Sequence, residues 1–265
     1  MKYPGSVASS GSDRPFLPGG TNSDKINGVS LTPRLLAAAD YARKGRTIAD
    51  IGTDHAYLPI YLVSNGISKS ALACDVRKGP LDRANENIKA AGLENRITTK
   101  LTDGLSGVES FSPDDIFLCG MGGELIVSII EKSSFVRSEG IRLILQPMTH
   151  AEIVRRYLSL NGFIITDETI VSEKGNKLYQ IIVAEYTGIG YELDEAELIL
   201  GPLNIKNQSP ELRLLTDKVV SGLQTKLNGI KTAGKENTAI EELINILQKK
   251  GKRREDVNDR IQFNI

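Results

Sequence analysis

The sequence predicts an α/β fold in which a mostly parallel sheet is followed by a separate set of helices. Short apolar runs alternate with helix-like segments from residue 31 to about residue 160. That alternation is typical of a parallel sheet covered on both faces. Two further apolar runs are joined by the polar turn Glu173–Lys177, with no helix between them. From residue 189 onward, apolar residues recur at three- and four-residue intervals, as they do in amphipathic helices.

The apolar runs give seven candidate strands. In chain order they are Thr47–Ile51, Ala71–Asp75, Ile97–Leu101, Ile116–Cys119, Leu143–Gln146, Phe163–Thr166 and Tyr179–Ala184. A parallel sheet that ends in an antiparallel hairpin is the topology of class I methyltransferases, and a plain dinucleotide-binding fold would not end in this way. The predicted fold class is therefore a Rossmann-like, class I methyltransferase seven-stranded sheet with a C-terminal helical hairpin that resembles a coiled coil.

The chain divides into four predicted parts. Residues 1–29 are rich in Gly, Ser, Pro, Asn and Asp and show no hydrophobic period, so we expect a disordered extension. A transit peptide is the less favoured alternative, because Asp13 and Asp24 are unusual in one. Residues 30–188 contain the strands and form the expected catalytic domain. Residues 189–250 form a helical domain, whose last helix is expected to begin with a capping box of Thr238 and Glu241. Residues 251–265 form a basic and polar tail.

Composition limits the possible function classes. No apolar run approaches the roughly 18 residues of a membrane span. The formal net charge is zero, so overall charge does not indicate a nucleic-acid binder. The two cysteines and two histidines give no support for a metal site, and cysteines at the ends of apolar runs fit a reducing compartment. We expect a cytoplasmic protein without a metal, a membrane span or an obligate protein partner.

The first strand ends in a loop suited to a positively charged cofactor. Gly52 lets the backbone approach a ligand closely, and Asp50 and Asp54 flank it. The dinucleotide fingerprint G-x-G-x-x-G is absent, because Asp54 replaces its second glycine. A carboxylate there repels a pyrophosphate but accepts hydrogen bonds from the ammonium group of a methionine moiety. The loop, including His55, therefore favours S-adenosylmethionine; the alternative is an ordinary connection between strand and helix.

Two more acids follow the next two strands. Asp75 ends the second strand 25 positions after Asp50, close to the spacing at which an acid meets ribose hydroxyls, and Val76 follows it. Asp103 and Gly104 follow the third strand, where a carboxylate can accept a hydrogen bond from the exocyclic amine of the cofactor adenine. Each acid alone could simply end a strand or form a turn. Three acids at the ends of three consecutive strands favour a cofactor site.

Four blocks of the sequence resemble the bacterial tRNA adenine-N1 methyltransferase family that modifies adenine 22. They are Asp50–Pro59 (DIGTDHAYLP), Thr102–Leu105 (TDGL), Gly120–Gly123 (GMGG) and Leu143–Pro147 (LILQP). The similarity runs from about Leu31 to Leu247 and includes Lys177–Ala184 (KLYQIIVA) and Gly201-Pro202. The resemblance implies a Rossmann-like catalytic domain, tRNA as the substrate, and a C-terminal helical domain that helps to bind it.

Two positions depart from the family pattern. The second strand ends in Cys74-Asp75, where Gly-Glu is usual, and this change preserves the acid. Met148 follows Gln146-Pro147, where Asn is usual, so an amide contact to the substrate is not expected at that point.

The expected chemistry depends on alignment and electrostatics. Adenine N1 has an in-plane lone pair and is mostly unprotonated at neutral pH, so no proton has to be removed before methyl transfer. The base becomes cationic, and complementary charge should therefore assist the reaction. Asp54 is the expected acid near the transferring methyl. Gly120, Gly122 and Gln146 are expected to position the base, which has to leave its pairing partner.

Basic residues are expected to hold the tRNA phosphates. They are Arg155, Arg156, Lys218, Lys226, Lys231, Lys249, Lys250, Lys252, Arg253 and Arg254. From Glu192 onward the chain has twelve basic and twelve acidic residues, so a solvated helix surface is the alternative. Other function classes also stay open: a class I methyltransferase acting on another RNA, a small molecule or a protein, and a non-catalytic RNA-binding scaffold.

Overall fold

A computed structural model describes residues 30–233 and 235–251. Its strands are β1 (Thr47–Ile51), β2 (Ser70–Asp75), β3 (Ile97–Leu101), β4 (Asp115–Gly122), β5 (Arg142–Thr149), β6 (Phe163–Glu173) and β7 (Lys177–Tyr186). Its α-helices are α1 (Pro33–Ala39), α2 (Tyr57–Ser64), α3 (Lys78–Ala90), α4 (Gly123–Glu131), α5 (Ala151–Leu160), α6 (Glu195–Leu200), α7 (Pro202–Lys206), α8 (Leu212–Thr232) and α9 (Thr238–Lys250). The predicted disordered extension, residues 1–29, lies outside the described residues, as does the predicted tail beyond Gly251.

The strands form a single seven-stranded sheet in the order β3-β2-β1-β4-β5-β7-β6. Strands β1 to β5 are parallel, whereas β7 pairs antiparallel with both β5 and β6. The Rossmann-like fold class predicted from the sequence is therefore confirmed, including its antiparallel hairpin. Because β1 lies between β2 and β4, the strand order reverses beside it, and the carboxyl ends of these strands border a crevice.

The central strands are buried on both faces, which explains their continuous apolar runs. In β4, Phe117 packs with α1, α2 and α3, while its neighbour Leu118 packs on the opposite face with α4 and α5. Ile144 and Leu145 of β5 alternate in the same way. Adjacent side chains on a strand point to opposite faces, so each strand contributes to two cores.

The C-terminal helices share an apolar cluster with the hairpin of the sheet. Leu215 and Leu227 of α8 pack with Ile244 and Leu247 of α9, and this cluster includes Ile170 of β6. Between the sheet and these helices, α6 packs on α5, and α7 packs on β6. The predicted domain division between residues 188 and 189 therefore precedes a segment with extensive contacts to the sheet, and it stays a prediction.

The start of α9 differs from the prediction, and the start of α6 has a capping box that was not predicted. The predicted capping box of Thr238 and Glu241 is wrong, because the Asn237 side chain caps α9 by accepting a hydrogen bond from Ile240 N at 3.1 Å. A capping box occurs instead at α6, between Asp194 and Glu197. No helix in residues 30–233 and 235–251 combines the length and apolarity that a membrane span requires.

Candidate active site

The loop after β1 is a tight turn in which Gly52 leaves no space for a side chain. Gly52 N and Thr53 N each donate to Cys74 O of β2 at 2.8 Å, which holds the loop against the sheet. Gly52 has a φ of +75°, and a Cβ there would lie 2.4 Å from Met121 Cε. Asp54 and Ala56 also have left-handed backbones, with φ of 51° and 58°. The turn leaves the carboxyl end of β1 open above Gly52.

Asp50 is a buried carboxylate at the floor of the site. It is 6% exposed, and Thr53 Oγ1 donates to its Oδ2 at 2.6 Å. Burial raises its pKa to about 6; the Thr53 hydrogen bond opposes this shift, and the nearby charge of Asp75 adds to it. Among the described residues no cation offsets the charge of ionised Asp50. A positively charged ligand group would therefore lower the free-energy cost of burying that charge.

Asp75 lies at the end of β2 and is also buried, at 5% exposure. Its Oδ1 accepts from Arg77 N at 2.9 Å and lies 3.7 Å from Arg77 Nε. Within the described parts of the chain, its Oδ2 accepts no hydrogen bond. One carboxylate oxygen is thus held by the loop, while the other stays free to accept from a ligand.

Asp54 extends into the open part of the site, with 64% of its side chain exposed. Its Oδ2 lies 3.4 Å from His55 Nε2, and the His55 ring stacks on Tyr57 with centroids 5.2 Å apart. Asn87 Nδ2 donates to His55 O at 3.0 Å and fixes the loop from the side of α3. The result is a solvent-facing carboxylate on an anchored loop.

The far end of the site, beside β2 and β3, forms a narrow slot. Val76, Asp103 and Gly104 line it together with Leu125 and Ile129 of α4. A Cβ at Gly104, whose φ is +57°, would lie 3.2 Å from Ile129 side-chain atoms. A slot between apolar side chains with a carboxylate at its edge suits a flat heterocycle that carries an amine.

The glycines at the end of β4 and the start of α4 allow a close approach to the end of β5 and the start of α5. Gly120, with φ +76°, donates from N to Gln146 Oε1 at 3.1 Å. A Cβ at Gly123, the first residue of α4, would lie 2.3 Å from His150 O. Gly122 contacts the Thr149 region and does not line the cavity.

Gln146, which was predicted to position the base, does not line the cavity. Gln146 is fully buried, and its Nε2 donates to Pro147 O at 3.1 Å while Oε1 accepts from Gly120 N. Both ends of the amide have partners inside the protein. Gln146 therefore acts on the site through Gly120, whose position it fixes.

The residues predicted to bind the cofactor surround one cavity of about 640 Å³, a volume common for small-molecule sites. All of them line it: Asp50, Gly52, Asp54, His55, Asp75, Val76, Asp103, Gly104 and Gly120. Cys119 also lines it, and burial raises the pKa of its thiol, as expected for a packed rather than a nucleophilic cysteine. No group of three or more His, Cys, Asp or Glu that could hold a metal occurs in the described residues.

Sequence reasoning did not identify the contribution of α1 to this cavity. Thr32, Arg34 and Leu35 line it from the side of β4 and β5. The short apolar pattern predicted a helix here, but it gave no indication that the first turn would face the carboxyl ends of the strands. The position of α1 is set by tertiary contacts with β5, β6 and β7.

The prediction that Arg155 holds tRNA phosphates is wrong, because Arg155 is fully buried. Its Nε donates to Glu168 Oε1 at 2.6 Å, and Nη1 donates to Leu198 O at 2.8 Å. Arg156, the next residue, is half exposed and pairs with Glu195 at 2.8 Å. A strongly amphipathic α5 turns one arginine into the protein and the other outward.

The predicted basic residues of the C-terminal helices fall into three groups. Lys218, Lys226 and Lys249 are exposed and form no ion pair with any described residue. Lys231 pairs with Glu241 at 2.7 Å, and Lys250 pairs with Asp194 of the α6 capping box. The remaining three, Lys252, Arg253 and Arg254, lie outside the described residues.

Comparisons with known proteins agree with this geometry. A methyltransferase domain family matches residues 31–182. The tRNA (adenine(22)-N(1))-methyltransferase of Bacillus subtilis (strain 168) is 36% identical over 191 residues, which is 69% of this chain and 79% of the relative. The crystal structure of the B. subtilis m1A22 tRNA methyltransferase has a TM-score of 0.75 at 30% identity and covers 84% of this chain and 100% of that chain.

A second solved structure, from Streptococcus pneumoniae, is a complex with S-adenosyl-L-methionine. It has a TM-score of 0.74 at 32% identity, and again covers 84% of this chain and 100% of that chain. The resemblance read from the sequence blocks is thus confirmed. The chain belongs to the family of tRNA (adenine(22)-N(1))-methyltransferases.

Proposed function

We propose that this protein transfers the methyl group of S-adenosylmethionine to N1 of adenine 22 in tRNA. The observation that carries the proposal is the single cavity that collects Asp50, Asp54, Asp75 and Asp103 at the carboxyl ends of three neighbouring strands. The B. subtilis relative carries this activity in its name. Work on tRNA would place the protein in the cytoplasm.

The residues present fit the cofactor. Gly52 and Gly104 leave room where a Cβ would collide with Met121 or crowd Ile129. Asp75 keeps an oxygen free for the ribose hydroxyls, and Asp103 stands at the slot suited to adenine. Asp50 and Asp54 lie where an ammonium group would offset their charge. When bound, S-adenosylmethionine supplies a methyl group on a positively charged sulfonium.

The protein's own contribution is positioning and charge. Adenine N1 has a lone pair at neutral pH, so no residue has to act as a general base. Asp54 is exposed to the cavity, and its carboxylate would stabilise the positive charge that the base acquires. Gly120 leaves space at the end of β4 for a flat base, and Gln146 fixes the position of Gly120.

The test is nucleoside mass spectrometry after incubation of unmodified tRNA with the protein and labelled S-adenosylmethionine. We expect labelled 1-methyladenosine, and no label in a matched tRNA that carries guanine at position 22.

Asp54→Asn should lower turnover by roughly 100-fold, the scale for one preorganised electrostatic contact, with unchanged thermal stability because Asp54 is exposed. Label in another nucleoside, in protein or in a small molecule would contradict the proposed substrate. Full activity of the variant would remove Asp54 from catalysis.

A further inference from the structure

The loop of residues 103–107 follows β3 and is closed by two side chains that precede it in the chain. Thr102 Oγ1 donates to Ser106 O at 2.7 Å, and Lys100 Nζ donates to Gly107 O at 2.5 Å. Within the loop, the backbone N of Ser106 donates to the first carbonyl of the loop at 3.3 Å. The second half of the loop is therefore tied back to the end of β3.

Lys100 makes a contact that is unusual for a lysine on an edge strand. Strand β3 lies at the edge of the sheet, where a lysine normally keeps its ammonium group in water. Here the ammonium group donates to a backbone carbonyl, and no carboxylate of the described chain lies within ion-pair distance of it. A Cβ at Gly107 would lie 2.5 Å from Lys100 Nζ, so a side chain there would displace the ammonium group. A charged donor thus forms a strong hydrogen bond with the loop itself.

The same loop carries residues that face the slot at the far end of the cavity. Asp103 and Gly104 line this slot, and Gly104 lies close to Ile129 of α4. The Asp103 carboxylate accepts no hydrogen bond from any residue that the structure describes, so its position depends on the backbone of the loop. Lys100 does not line the cavity. It therefore reaches the slot through the loop and not by direct contact.

We propose that Lys100 is a positioning residue for the adenine of S-adenosylmethionine, an inference that rests on the function proposed above. By holding Gly107 O, Lys100 keeps Asp103 where its carboxylate accepts a hydrogen bond from the exocyclic amine. A purine with a carbonyl in place of that amine would set an oxygen lone pair against the fixed carboxylate. A loop released from β3 can turn Asp103 away from such a base, so Lys100 determines how strictly the slot selects adenine.

The experiment compares S-adenosylhomocysteine with S-inosylhomocysteine, in which hypoxanthine replaces adenine. Calorimetry on the full chain, without tRNA, would measure the two dissociation constants. For the native protein we expect a preference of about 10- to 100-fold for the adenine ligand, the scale of a hydrogen bond to a charged group. Any loss of folded protein lowers both apparent affinities by the same factor, so the ratio of the two affinities reports on the slot alone.

Two variants of Lys100 test its role. Lys100→Met removes the charged donor and keeps most of the length of the side chain. It should lower the preference for the adenine ligand by about tenfold, because Asp103 is no longer held against the amine. Lys100→Arg should retain most of the preference, since a guanidinium can still donate to Gly107 O.

The matched control is Lys132→Met. Lys132 lines the neighbouring cavity beside Asp103, and its side chain is exposed and forms no ion pair with a described residue. The change removes a positive charge near the slot without removing a hydrogen bond to the loop, so the preference should stay intact. An unchanged preference in Lys100→Met, or an equal loss in Lys132→Met, would overturn the proposal. A native protein that bound both ligands equally would overturn it as well, whereas one that bound neither would contradict the proposed function itself.

Discussion

Two groups of buried charges in this protein differ in how their polar atoms are satisfied. At the junction of α5, β6 and α6, Arg155 donates to Glu168, to Leu198 O and, through Nη2, to Gln180 Oε1 at 2.7 Å. The second oxygen of Glu168 accepts from Leu203 N at 3.0 Å. At the carboxyl ends of β1 to β4, buried carboxylates lie near each other, and one arginine has a free Nε.

This difference distinguishes charged residues that stabilise the fold from charged residues of the same types that are available to bind a ligand. The junction forms a closed network, in which the charges hold α6 and α7 on the sheet. The cavity forms an open network, meaning that some of its buried charged groups have no partner among the described residues and could be offset by a bound ligand. In this pair of regions, the charged groups that lack internal partners line the cavity, whereas the fully partnered ones hold helices on the sheet.

The largest expected effect comes from breaking the closed network. Arg155→Met leaves Glu168 as a buried carboxylate without its cation, so the free energy of unfolding should fall by about 3–5 kcal/mol. Urea unfolding measures this change. Arg156→Ala is the matched control, since its exposed pair with Glu195 should contribute at most about 1 kcal/mol. Equal effects of the two variants would contradict the contrast between buried and exposed arginines.

Most of the fold could be predicted because burial on both faces leaves continuous apolar runs in the sequence. Every predicted strand exists, and β1 and β3 have the predicted bounds. Strand β6 extends to Glu173 rather than Thr166, because its outer half alternates between buried and partly exposed residues and includes polar ones. A polar segment of that kind becomes a strand through its pairing with β7, which sequence periodicity does not reveal.

The site could be predicted where its residues follow directly from strand ends. Asp50, Asp75 and Asp103 each follow a predicted strand, and parallel strands bring their carboxyl ends to the same edge. The sequence was misleading where a side chain forms a hydrogen bond with a residue that is distant in the chain. Arg155 bonds Leu198, and Gln146 bonds Gly120, contacts that depend on tertiary packing and have no local sequence signal.

A second prediction concerns how much the buried charge of Asp50 lowers the free energy of unfolding when no ligand is bound. The pKa of Asp50 is about 6 in the folded protein, above the roughly 4 of an unfolded aspartate. Between these values the folded state holds a proton that the unfolded state has lost, so stability falls as pH rises from about 4 to 6. Ionised Asp50 should therefore cost roughly 3 kcal/mol at pH 8.

Asp50→Asn tests this prediction in cofactor-free protein. Asparagine can still accept the Thr53 hydrogen bond but carries no charge, so the variant should be more stable than the native protein at pH 8. The gain should shrink toward zero at pH 4, and urea unfolding across this range would measure it. A variant that is less stable at pH 8 would place Asp50 in a closed network like that of Arg155.

The smallest expected effects lie on the surface of α8, where the same contrast applies to lysines. Lys218 and Lys226 are exposed without an ion pair to any described residue, whereas Lys231 is paired with Glu241. Lys218→Gln and Lys226→Gln together should leave thermal stability unchanged and weaken tRNA binding. The slope of log affinity against log salt should become shallower by about one for each phosphate that the variant no longer binds.

Lys231→Gln is the matched control and should change the slope less, because Glu241 already offsets its charge. Binding measured between about 50 and 200 mM salt gives the slopes. If all three variants kept the native slope, these lysines would form only a solvated face, and the tRNA would have to bind elsewhere on the protein.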